Sequence, residues 1–218
     1  MEFINGILWP TWICIAALAI YILKIGKLNG WEYIIPIILV MNVVSDLGSN
    51  YMQLGTNIPC YTRMKIETGF IYNVLAPSER ILTLILYTKN SRFRTDKFRY
   101  YIGIVLIVLI SIISLFYYPN FREMHRGAYV WGGLVVALLS YLHLRSIALD
   151  EAGQSQIMFA FSLANLVYFT LMISANSAVD LAYELNVEFG KNIYLINDIA
   201  FALWSIILII GILWKRKT

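Results

Sequence analysis

Hydrophobic residues along this chain form seven runs separated by short polar segments. A membrane-spanning helix needs about 20 apolar residues, and each run approaches that length. The pattern therefore predicts an all-α, polytopic membrane protein built as a seven-transmembrane-helix bundle. Because the connections are short, we expect a single transmembrane domain over residues 1–218, with helices near 4–23, 31–53, 67–87, 99–118, 127–148, 156–178 and 192–214.

Composition supports a membrane protein over a soluble one. Hydrophobic residues make up 60% of the chain and charged residues only 14%, which leaves too little polar surface for a soluble domain. The net charge is +4, but the sequence contains no nucleic-acid-binding motif, so we expect no nucleic-acid partner. The two cysteines, Cys14 in the first run and Cys60 in a connection, predict neither a disulfide nor a metal framework.

The distribution of Lys and Arg among the connections predicts the orientation. Cytoplasmic loops carry the excess of basic residues, and the basic segment from Lys89 to Arg99 is the strongest single anchor. We therefore expect the N-terminus outside, the C-terminus in the cytoplasm, and a multi-pass protein of the bacterial inner membrane. The predicted cytoplasmic set is Lys24, Lys27, Lys89, Arg92, Arg94, Lys97, Arg99, Arg145, Lys215, Arg216 and Lys217, against an outer set of Arg63, Lys65, Arg122, Arg126 and Lys191.

Polar residues within the runs are unevenly distributed. The first and fourth runs are almost wholly apolar, so we expect those helices to face lipid. The second, third, sixth and seventh runs carry the polar groups, so those helices should face one another. The sequence predicts a ligand site or an ion pathway in a pocket open to the outside, formed by Asp46, Asn50, Asn73, Glu79, Arg80, Asn165, Asn176 and Asp198. Interhelical hydrogen bonds with no ligand would also explain these residues.

The third run contains the most informative stretch. Pro77 lacks an N–H, and its ring clashes with the carbonyl of Asn73, which predicts a hinge. Glu79 and Arg80 follow, and neighbouring residues on a helix point about 100° apart, so we expect Glu79 to face another helix. Two interpretations remain open: an ion network that locks the bundle, or a ligand or proton site.

Several kinds of chemistry find no support in the sequence. His125 and His143 lie at opposite ends of the predicted bundle, which disfavours a zinc or haem site, and we expect His143 to lie near an interface without a catalytic role. The sequence predicts no catalytic residue and no cofactor. Microbial rhodopsins carry retinal on a last-helix lysine four residues after an aspartate. Here Ala202 stands four residues after Asp198, so we do not expect covalently bound retinal.

Two short motifs resemble those of small bacterial seven-helix integral membrane proteins that have no established activity. The first is Ile71-Tyr72-Asn73, followed by Glu79 and a basic inner loop; the second is Tyr194-Leu195-Ile196-Asn197, which opens the last helix. The resemblance implies the architecture, and no functional residue carries over from it.

Four functions are compatible with these observations. The favoured one is a receptor-like or sensory protein that binds a small ligand and signals to a partner through the basic segment from Lys89 to Arg99. The alternative is a small-molecule transporter or an ion- or proton-coupled carrier, in which Asp46, Glu79, Arg80 and Asp198 form the path. A lipid-modifying enzyme and a structural subunit of a membrane complex are further alternatives.

Overall fold

The structure is a computed structural model that describes residues 9–54, 69–91, 94–117, 125–149 and 155–214. The predicted outer-loop residues, Cys60 and the basic C-terminal tail lie outside these ranges. The described residues are helical apart from short turns and caps, which confirms the all-α class. Their α-helices are α1 (Trp9–Leu23), α2 (Ile34–Leu54), α3 (Gly69–Asn90), α4 (Arg94–Tyr117), α5 (Arg126–Leu149), α6 (Gln156–Leu185) and α7 (Val187–Leu213).

Long apolar helices indicate a membrane-embedded, multi-pass protein. Within the described residues, five helical segments are long and apolar enough to cross a bilayer, and α1 is a shorter apolar helix. The helix α3 is not among the five, because Asn73, Ser78, Glu79 and Arg80 make it more polar. The five segments are Gly30–Gly48, Arg94–Tyr117, Arg126–Ala148, Gln156–Ala178 and Glu188–Leu213.

The helices α6 and α7 are longer than the hydrophobic pattern predicted. The expected connection at 179–191 is helical except at Asn186, which ends α6 and begins α7. Asn186 has an extended backbone, and its Oδ1 accepts a hydrogen bond from the Glu188 amide at 2.7 Å. This is an N-cap of the kind that satisfies an exposed helix-end donor. Hydrophobicity marks only the apolar part of a helix, so it missed these polar extensions.

The predicted basic loop is also largely helical. The helix α3 continues to Asn90 and α4 begins at Arg94, so most of the segment from Lys89 to Arg99 belongs to helix ends. Asp96 ties this end of α4 to α5, because it accepts a hydrogen bond from Ser146 Oγ at 3.0 Å. Arg99 pairs with the same carboxylate at 3.1 Å. We call this the Asp96 end of the bundle, and the opposite end the His125 end.

Six helices form a ring, in the order α1, α2, α3, α5, α6 and α7, and α4 packs outside it against α3 and α5. The predicted peripheral position of α4 is confirmed. The same prediction for α1 is wrong, because α1 closes the ring between α2 and α7 and buries Thr11, Cys14, Ala17 and Tyr21. Tyr21 Oη donates a hydrogen bond to the Leu208 carbonyl of α7 at 3.4 Å.

Small residues let the helices approach closely. Gly211 of α7 packs directly against Ala160 of α6, and Gly133 of α5 faces Met172 and Phe169 of α6. These contacts hold α5, α6 and α7 together as the densest part of the ring.

Candidate functional site

Arg80 is the central buried charge on α3. Its side chain is only 2% exposed, and Nη1 donates a hydrogen bond to the Ala128 carbonyl of α5 at 3.2 Å. The guanidinium carbon lies 4.6 Å from the centre of the Tyr129 ring, a cation–π distance. Gly132 packs against the guanidinium, and a side chain at that position would occupy the same space. Glycine at position 132 of α5 therefore leaves the space that the Arg80 side chain occupies.

A cavity of about 100 Å³ lies next to Arg80, between α3, α4 and α5. Pro77 forms part of its wall, together with the first turn of α5. The cavity is several times larger than the space needed for one water molecule. Its lining residues are Tyr72, Asn73, Ala76, Pro77, Arg80, Ser111, Leu115, His125, Ala128 and Tyr129.

Two of the three guanidinium nitrogens of Arg80 are unpaired. Nε and Nη2 are buried and have no hydrogen-bond partner within the described residues. The only ion pair in that part of the chain is the one between Arg99 and Asp96. A buried charge is costly unless it is paired and hydrogen-bonded. Arg80 thus has unused capacity for an anionic or acceptor group.

Two carboxylates, Glu79 of α3 and Asp198 of α7, act electrostatically on a third, Asp46 of α2, and we call these three residues the acidic cluster. Asp46 of α2 accepts a hydrogen bond from Thr11 Oγ1 of α1 at 3.2 Å, and it lies within electrostatic reach of Glu79 and Asp198. Glu79 interacts with Asn42 of α2 and with the charge of Arg80. As expected, Glu79 therefore faces another helix. Arg80 supplies positive charge close to this acidic cluster.

A separate hydrogen-bond network connects α3, α5, α6 and α7 deeper toward the Asp96 end. Asn165 Oδ1 accepts from Trp204 Nε1 at 2.8 Å, and its Nδ2 donates to Tyr87 Oη at 3.1 Å. Tyr87 Oη is 2.9 Å from Ser140 Oγ. These side chains are almost completely buried. This part of the interior is filled by side chains.

His143, which we expected near an interface, lies close to the end of α5 and belongs to the same buried region. It is 1% exposed and stacks on Tyr87, with 4.4 Å between the ring centres. Its Nδ1 is 2.8 Å from Ser162 Oγ, which donates its own proton to the Met158 carbonyl. Ser162 must then accept from Nδ1–H, which leaves Nε2 as the unprotonated nitrogen. Tyr87 and Tyr100 are also buried here.

The predicted site residues fall into different environments. Arg80, Asn73 and Pro77 line the cavity, while Asp46, Glu79 and Asp198 form the acidic cluster. Asn165 lies in the separate network, and Asn176 Nδ2 bonds to the Met172 carbonyl of its own helix. The side chain of Asn50 lies outside the described residues. Ala202 is buried in α7.

The sequence prediction missed the contributions of α5 and α1. Tyr129, Gly132, Ser140 and His143 recur at steps of three and eight residues, which places them near one helical face. That spacing could have identified a polar face on α5. Thr11 was a single hydroxyl in an apolar run, so nothing in the sequence marked it as the partner of Asp46.

In the described part of the chain, no group of three or more His, Cys, Asp or Glu residues is placed to hold a metal ion. No family model, no curated protein and no solved structure matches the chain.

Proposed function

We propose that α1 to α7 each cross the cell membrane, with the N-terminus outside and the C-terminus in the cytoplasm. The charge distribution of the described residues supports this orientation. The Asp96 end carries most of the basic residues, as cytoplasmic ends do, whereas the His125 end has Arg126 and Lys191. The basic residues of the Asp96 end are Lys24, Lys27, Lys89, Arg94, Lys97, Arg99 and Arg145.

Thiol labelling tests this orientation. Thr95 and Gly127 are exposed at opposite ends of the bundle, and a side chain at Gly127 would meet open space. In a background with Cys60→Ser, an impermeant maleimide applied to intact cells should label Gly127→Cys. It should label Thr95→Cys only after permeabilisation. The reverse pattern would contradict the proposed orientation.

We propose that the protein is receptor-like and binds a small ligand beside Arg80, in the half of the bundle that faces outside. The observation that carries this proposal is a buried arginine, with two guanidinium nitrogens unpaired within the described residues, that lines a cavity of about 100 Å³. Intramembrane ionisable residues are costly and usually serve function. The cavity lies between α3, α4 and α5, on a different side of α3 from the predicted pocket.

The helix α3 provides a physical route from the ligand site to the cytoplasmic end. Arg80 and Tyr87 lie two turns apart on one face of α3, so movement of Arg80 along α3 would disturb the network around Tyr87. Pro77 would act as the hinge. Lys89, on the last turn of α3, lies 4.8 Å above the Trp31 ring, and a signalling partner would read the change at this basic end.

A thermal-stability screen tests ligand binding. A ligand at 100 times its Kd stabilises by about 2.7 kcal/mol, so at least one compound of a broad metabolite collection should raise the Tm. Ser111→Leu should abolish the rise, because Ser111 lines the cavity. Ile112→Phe, a lipid-facing change on the same helix, should not. A screen without any Ser111-dependent shift would contradict the proposal.

An ion- or proton-coupled carrier is the second candidate, favoured by the convergence of Asp46, Glu79 and Asp198. Proteoliposomes separate the two functions. A carrier should drive a flux that falls in Asp46→Asn and Glu79→Gln, whereas a receptor should bind its ligand without flux. Unchanged fluxes in both variants would exclude the carrier.

A further inference from the structure

The unpaired nitrogens of Arg80 share one edge of the guanidinium group. Nη1, which bonds to the Ala128 carbonyl, lies outside this edge, whereas Nε and Nη2 carry parallel N–H groups. Two parallel N–H donors match the two oxygens of a carboxylate or the oxygens of a phosphate. The bond to Ala128, the Tyr129 ring and the Gly132 surface hold this arginine in place.

The surroundings of this edge also favour an anion. The first turn of α5 lines the cavity, and the positive end of a helix dipole stabilises negative charge. Glu79, the nearest acidic neighbour in sequence, interacts with Asn42 on the α2 side and makes no ion pair with Arg80 within the described residues. The guanidinium therefore lacks a contacting counter-charge inside a low-dielectric bundle.

We propose that this cavity is an anion site, in which a carboxylate or a phosphate binds the Nε–Nη2 edge of Arg80. The inference rests on the proposed ligand-binding function and names the chemical class of its ligand. A cavity of about 100 Å³ limits the bound part to a small group. That group could belong to a soluble anion or to the headgroup of an anionic lipid, and the experiment below separates these sources.

Anion titrations of the purified full-length protein test the site. Sodium acetate and sodium phosphate are titrated at constant ionic strength, with sodium chloride as the reference salt. We expect a saturable rise in Tm of about 5 °C. Nanodiscs of phosphatidylcholine, with and without phosphatidic acid, form the lipid arm. A rise in Tm with acetate or phosphate would identify the ligand as a soluble anion. A rise in Tm with phosphatidic acid alone would identify it as a lipid headgroup.

Two variants on different helices locate the effect. Arg80→Lys keeps the charge but loses the planar edge, so the apparent anion affinity should fall about tenfold. Ser111→Leu should block the cavity. The two variants alter different helices, α3 and α4. If one variant does not fold, the other still tests whether the anion binds in this cavity. Arg99→Lys, at an exposed pair, and Ile112→Phe are the matched controls and should behave as wild type.

Three results would overturn the anion site. The first is the absence of a shift with acetate, phosphate and phosphatidic acid. The second is a shift that persists in both Arg80→Lys and Ser111→Leu, because the anion would then bind elsewhere. The third is a Ser111-dependent shift caused only by neutral or cationic compounds. That last result would retain the ligand-binding function and remove only the anionic ligand class.

Discussion

Replacing Asn165 with leucine is expected to lower the free energy of unfolding by about 3 kcal/mol. Asn165 connects Trp204 Nε1 and Tyr87 Oη, both fully buried. Leucine would leave the Trp204 N–H without an acceptor and Tyr87 without one donor, and both side chains are buried. The free energy can be measured by reversible unfolding in mixed detergent.

The expected size of this effect distinguishes two physical situations. Interhelical hydrogen bonds in membranes average only about 0.6 kcal/mol when the unpaired groups find other partners. A loss below 1 kcal/mol would therefore show that Tyr87 and Trp204 are satisfied in another way, and would contradict a closed network. Thr170→Val is the matched control, because Thr170 is exposed and bonds only to the Leu166 carbonyl of its own helix. It should cost less than about 0.5 kcal/mol.

Replacing Arg80 with glutamine is expected to lower the free energy of unfolding by about 2 kcal/mol, because it removes a charge-assisted hydrogen bond to the Ala128 carbonyl and the positive charge that acts on Glu79. Glu79 and Asp198 both act on the Asp46 carboxylate, and Arg80 provides the positive charge that acts on Glu79. The same change also removes the cation–π contact with Tyr129. Unfolding in detergent again gives the measurement.

A double-mutant cycle isolates the electrostatic part of this loss. Glu79→Gln in the Arg80→Gln background should recover about half of the lost stability, since the acidic cluster then carries one charge fewer. Arg99→Gln should cost less than about 1 kcal/mol, because the pair between Arg99 and Asp96 is solvent-exposed. If Glu79→Gln destabilises the wild type and the Arg80→Gln variant equally, the two charges are not coupled.

The architecture was largely predictable, because apolar runs long enough to span a bilayer appear directly in the sequence. The ends of α6 and α7 were not, since Asn186 and the residues around it form helix outside any apolar run. The position of α1 also escaped prediction. The helices α1 and α4 are both apolar, and nothing in the sequence shows that α1 packs between α2 and α7 whereas α4 lies outside the ring.

The candidate site was predictable in its residues but not in its arrangement. Arg80, Glu79 and Pro77 stand out in α3 because charges and proline are rare within apolar helices. Their partners on α5 were hidden, since Gly132 and Tyr129 resemble ordinary packing and interface residues. A sequence shows which residues share a helix face, but it does not show which neighbouring helix that face meets.

An experimental density map of the full-length protein in lipid nanodiscs tests the central proposal most directly. We predict non-protein density beside Pro77, within hydrogen-bond distance of Nε and Nη2 of Arg80. A map without non-protein density in the cavity, in which Nε and Nη2 of Arg80 bond to the Glu79 carboxylate, would contradict this proposal. Arg80 would then be one member of a structural ion network.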